Sequence, residues 1–191
     1  MNTTQLAQCI RAAWDEAGYT AEVEAALRKT SPHPEEREAR EAFLGKRWDE
    51  VPESTLLARC PSPFLIGSEA LRYYLPAFLT ASLKASNDDL LVFLIEFHLK
   101  PPRKPEKFER FRREFDLLSG KQRDAVAAFL RWARDSRYPP GHDPGDSSAY
   151  RDRVVRRIND TLQRYWDGCR RSSEQKGLQP ERGDGQPLDG R

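Results

Sequence analysis

Cysteine is scarce here and badly spaced for either of its structural uses. The chain has three, Cys9, Cys60 and Cys169, and no CxxC pair. Neither a disulfide framework nor a thiolate zinc site is therefore expected, and Cys60, beside Pro61, reads as an inert half-buried thiol. Histidine is equally scarce. His33 lies between prolines, His98 near the end of an apolar segment, and His142 in a Pro-Gly loop, none with a second ligand at metal spacing. Long apolar runs are missing too. The longest, Leu90 to Ile95, falls far short of the ~20 residues that a membrane-spanning helix needs. Met1 to Gln5 lacks the basic and apolar regions of a secretion signal. There is no GxSxG, HExxH, P-loop or GxGxxG. The expectation is a cytoplasmic protein away from membranes, with no catalytic residue, metal or cofactor.

What the chain does have is aromatic mass and charge. Nine Phe, six Tyr and four Trp supply enough burial to exclude wholesale disorder. The formal net charge is only +2, but it is unevenly spread: residues 1–99 sum to −5 and residues 100–191 to +7. Such a step marks an interaction surface or simply two solvated helix faces of opposite sign.

Periodicity points to helices throughout. Leu6, Ile10, Ala13, Trp14 and Ala17 predict a helix over about 4–17, capped by Thr3 or Thr4 and closed by Gly18. A short helix follows Thr20. Pro34 suits the first turn of a third, with Glu36 and Arg40 paired one turn apart and Gly45 ending it. Trp48 reads as a loop anchor, and a turn around 53–59 should bury Leu56 and Leu57. From Gly67 to Leu83, positions 70/71, 74/75, 78/79 and 82/83 form a wide apolar stripe. This is a core helix that either kinks at Pro76 or is split by it. Asp88 and Asp89 precede a segment from Leu90 to Leu99, where acid and length favour helix over strand. Lys100 to Pro105 is an extended basic connector, and Phe108, Phe111 and Phe115 punctuate the charged stretch behind it. Ser119 and Gln122 match a capping box for a helix reaching about Ser136. A Pro-Gly loop then leads to a last helix striped by Val154, Val155, Ile158, Leu162, Tyr165 and Trp166, closed by Gly168. The fold class expected is all-α: a compact irregular bundle of roughly six to eight helices with Pro-rich connectors. Residues 1–171 form one helical domain and 172–191 a disordered polar tail.

Three local patterns carry a family resemblance. Ala42-Phe43-Leu44-Gly45-Lys46-Arg47-Trp48 resembles F-x-G-K-x-W. Phe64 to Leu79 resembles F-L-T-P-E-A-F-R-Y-Y-L-P-A-Y, with Gly67-Ser68 in place of Thr-Pro. Leu117 to Gln122, running on to Phe129-Leu130, resembles L-T-x-x-Q … F-L. Over about residues 4–135 the chain is similar to an uncharacterised bacterial family, domain of unknown function 6714. The resemblance implies a fold class and no chemistry.

Two surfaces stand out. Arg72 and Tyr73 lie in the most specific motif; Glu69 and Arg72 are one turn apart, and Tyr73 points off the apolar stripe. Arg and Tyr are enriched at the centres of protein interfaces. Alternatively, the two tie the helix to a loop. The second surface is the stretch from Lys100 to Arg113, with Lys104, Lys107, Arg110, Arg112 and Arg113 around Phe108 and Phe111. Arg151, Arg153, Arg156, Arg157 and Arg164 of the last helix join it. The leading expectation is a non-catalytic module that binds an unidentified protein, in one version an immunity-type or antitoxin-type partner. The alternative is electrostatic nucleic-acid binding through the basic stretch and the last helix.

Overall fold

The computed structural model describes residues 1–29, 31–58, 65–86, 88–138 and 148–167. Cys60, Cys169, His142, Gly168 and the expected tail lie outside them. The described residues are all-α, with no strand. In chain order the helices are α1 (Thr3–Ala13), α2 (Ala21–Leu27), α3 (Pro34–Phe43), α4 (Glu53–Ala58), α5 (Ser68–Lys84), α6 (Asp89–Leu94), α7 (Pro105–Phe115), α8 (Gly120–Trp132) and α9 (Ser148–Thr161). Three of them continue into a wider π-helical turn: α6 into Ile95–Leu99, α8 into Ala133–Arg137 and α9 into Leu162–Trp166.

Helix α5 is the centre. It is buried on nearly every side, as expected of a helix that is apolar all round. It packs against α1, α2, α4, α6 and α7. The anticipated core residues Leu71, Tyr74, Leu75, Phe78, Leu79, Leu91, Leu94, Val126, Phe129 and Leu130 are all buried, as is the anchor Trp48. Helix α5 is not split at Pro76. Pro76 has no N–H to offer the carbonyl of Arg72, four residues back. That carbonyl instead accepts a hydrogen bond from Trp14 Nε1 at 3.2 Å, so a side chain from α1 fills the gap that proline leaves.

The same device recurs. Tyr74 Oη lies 2.7 Å from the carbonyls of both Phe43 and Lys46, at the end of α3. Trp166 Nε1 donates to Leu99 O at 2.8 Å, at the end of the α6 segment. Helix ends leave carbonyls without intrahelical partners, and here buried aromatic side chains supply the missing donors. Gly67 opens α5 with φ +82°, and Gly45 follows α3 with φ +74°. Both lie in the left-handed region that favours glycine.

Several local expectations are corrected. Asn2 and Gln5, not Thr3 or Thr4, form the capping box of α1, and the helix ends at Ala13, well before Gly18. Leu57 faces outward at 36% exposure while Leu56 is buried. The charged stretch after Pro105 is a full helix, α7. Its Phe108, Phe111 and Phe115 fall at i, i+3 and i+7, the spacing of one helical face. The capping box of Ser119 and Gln122 and the Glu36–Arg40 pair form as expected.

Candidate functional site

A groove on the described surface has a volume of about 920 Å³. Its first wall is the π turn after α6, the connector and the first turns of α7, contributing Glu96, Phe97, Lys100, Pro101, Pro102, Arg103 and Lys107. The second wall is α9, with Arg153, Arg156, Arg157 and Asp160. Two basic stretches some fifty residues apart in sequence thus face one another.

The cations divide into those that build the groove and those left over. Glu96 is only 13% exposed and lies between Arg157, with which it forms an ion pair, and Lys100 at 3.5 Å. Arg164 spans Pro101 O and Pro102 O with its two terminal nitrogens, each at 2.8 Å, and reaches Asp160 at 3.6 Å. A planar guanidinium suits this forked task, because its donors are held in fixed directions. These contacts clamp an otherwise extended proline-rich connector onto α9. Both acids of the groove are thereby engaged. Among the described residues, Arg103, Lys107, Arg153 and Arg156 form no ion pair. Four cations facing one space without local compensation repel one another, and an anion entering the groove relieves that repulsion.

One aromatic ring belongs to this site. Phe97 is 61% exposed although it leans on Phe93, ring centroids 5.2 Å apart. The aromatics expected there are elsewhere. Phe111 is buried with Tyr165 and Phe115, and Phe108 is half-buried against the core. Nothing local in the sequence distinguishes Phe97, since its outward direction depends on how the wide turn packs against α9.

The anticipated site residues scatter. Lys107 lines the groove, and Lys104 is exposed at the start of α7. Arg110 pairs with Glu114, and Arg112 lies between Glu109 and Asp116. Arg113 is exposed on the side of α7 away from its phenylalanines. Arg72 is half-buried in a separate cleft of about 410 Å³ near Trp14, Val23 and Leu118. That cleft is lined by Leu117 and Leu118, just past the end of α7, whereas Lys107 lies in its first turn. The expected Glu69–Arg72 pair is not formed among the described residues, and Glu69 accepts from Ser68 Oγ at 3.4 Å instead. Tyr73 is not exposed. It is 6% accessible, held edge-on between Tyr19 and Tyr74. Burial raises its phenol above the usual range, with the Trp48 backbone and Arg47 pulling partly back.

A model of one protein family matches residues 2–168. The chain belongs to that family, the family of unknown function DUF6714. The match runs past the 4–135 region in which the resemblance is visible by eye and takes in α9. Both walls of the groove therefore lie within this DUF6714 domain. No curated protein and no solved structure matches the chain. Among the described residues no group of His, Cys, Asp and Glu is arranged to hold a metal ion, and no helix is long and apolar enough to cross a membrane.

Proposed function

We propose that this protein is a non-catalytic binding module that takes an anionic macromolecule into the groove between the 96–107 segment and α9. One observation carries this reading: Arg103, Lys107, Arg153 and Arg156 converge on one space with no ion-pair partner among the described residues, while the groove's acids are already paired. Catalysis by acid and base needs a positioned group free to exchange a proton. Glu96 is instead committed to Arg157 and Lys100, and Asp160 to Arg164. The reading narrows the expected protein partner, immunity-type or antitoxin-type versions included, to one that presents an acidic segment, and it admits nucleic acid on the same footing.

Anisotropy titrations test it, using a labelled oligothymidylate and a labelled glutamate-rich peptide. Neutralising phosphates releases counterions, so four contacts to a single strand predict a log–log salt slope of about −3. Arg153→Glu with Arg156→Glu should remove binding while leaving the helical circular dichroism unchanged. Absence of binding to both polyanions at about 50 mM salt would overturn the proposal.

A further inference from the structure

We infer that the cleft around Arg72 is a second binding site, and that it takes a free α-amino acid with an apolar side chain. The ligand's carboxylate meets Arg72, its ammonium meets Glu22 and Glu69, and its side chain lies over the apolar lining. None of the elements of the anion groove is needed here. The cleft is formed by the end of α1, the start of α2, the first turns of α5 and the turn between α7 and α8. Its volume of about 410 Å³ lies within the roughly 300–1,000 Å³ of small-ligand pockets.

The lining selects the ligand by charge, by spacing and by its apolar part. Arg72, Glu22 and Glu69 form no ion pair among the described residues, with each other or with any neighbour. A simple anion entering the cleft would meet two carboxylates, and a simple cation would meet the guanidinium. Only a ligand with both charges is attracted by all three. Glu69 and Arg72 are three residues apart on α5, which places them side by side on the helix surface with about 5–6 Å between Cβ atoms. A free amino acid carries its ammonium and carboxylate on one carbon and can reach both at once. In a peptide the two charges sit at opposite ends. The floor is apolar, from Trp14, Val23 and Leu118, and Leu117 is 70% exposed beside it. A ligand side chain that covers Leu117 gains by removing that surface from water.

Arg72 is also held in place for this task. Its carbonyl accepts the 3.2 Å hydrogen bond from Trp14 Nε1, and its neighbour Tyr73 is buried edge-on against Tyr19. The backbone under the guanidinium is therefore ordered before binding, which lowers the entropic cost. The fork of the guanidinium matches both oxygens of a carboxylate.

Calorimetric titrations of the full chain test the site with leucine, phenylalanine, N-acetyl-leucine, leucinamide, glycine and leucyl-leucine. Leucine or phenylalanine should bind. Acetylation and amidation of leucine should each weaken binding roughly tenfold, and glycine should bind at least tenfold more weakly than the better of the two. Two variants then assign the charges. Arg72→Gln should weaken leucine but leave leucinamide unchanged, since that probe has no carboxylate to lose. Glu22→Gln with Glu69→Gln should weaken leucine but leave N-acetyl-leucine unchanged. A merely structural role for these side chains would weaken all probes alike, which overturns the assignment of charges. Equal binding of leucine and either blocked form also overturns it. Leucyl-leucine binding more tightly than leucine assigns the cleft to a peptide instead. Failure of both leucine and phenylalanine to bind at about 10 mM overturns the proposal and leaves the anion-binding reading of the other groove standing.

Discussion

At the scale of single residues, a buried polar group is only as cheap as its partner. The Arg72 carbonyl is the clearest case, because Pro76 removes its intrahelical donor and Trp14 Nε1 replaces it. Trp14→Phe keeps most of the apolar volume and deletes that donor, so it should cost about 1–3 kcal/mol in a denaturant titration. Pro76→Ala restores the N–H, and the Trp14→Phe penalty should shrink in that background. Equal penalties in both backgrounds would show that the indole bond contributes nothing. His98 gives a second test. Burial lowers its pKa from the usual 6.5 to about 4, so the folded state prefers the neutral ring. Above pH 6.5 that preference has no cost. As pH falls from 6.5 toward 4 the unfolded chain takes up a proton that the folded one refuses, and up to about 3 kcal/mol of stability is lost. An NMR titration should place the His98 inflection well below that of an ordinary histidine, and His98→Gln should flatten the acid limb of the stability curve. An inflection near 6.5 would sink the argument.

At the scale of elements, what was legible in the sequence is what local chemistry dictates. The capping box of Ser119 and Gln122, the first-turn Pro34 and the stripe of α5 needed no knowledge of neighbours. Helix α7 was also written there, in Phe108, Phe111 and Phe115, but three prolines and dense charge hid it behind the look of a linker. The connector before it is different, since nothing within residues 100–105 says where it lies. Its place is set by Arg164, sixty residues on, which binds two of its carbonyls. Arg164→Met keeps the aliphatic stem and removes the fork. Backbone amide exchange should then quicken at Arg103 and Lys104 while α5 keeps its protection. Unchanged exchange in the connector would mean that Pro101 and Pro102 hold it unaided.

At the scale of the whole molecule, the charge step of the sequence survives in part. The uncompensated cations of the groove all come from the positive half, at 103, 107, 153 and 156. Yet the basic stretch does not act as a block, because Arg110 and Arg112 spend their charge on carboxylates of α7 and its cap. Composition could show the excess, but not which cations pair and which remain open. That depends on which faces α7 and α9 turn to each other. A binding surface of unpaired like charges works against the stability of the free protein. Arg153→Gln with Arg156→Gln should therefore raise thermal stability slightly, by a few tenths of a kcal/mol in about 10 mM salt, where the Debye length is about 30 Å. In about 1 M salt, where that length is about 3 Å, the gain should vanish. Substitution of Arg157, whose partner Glu96 is nearly buried, should do the opposite and destabilise at both salt concentrations, because it leaves that carboxylate with Lys100 alone. If the Arg153 and Arg156 pair destabilises as Arg157 does, these arginines hold the fold together, and the groove has no spare charge with which to attract a ligand.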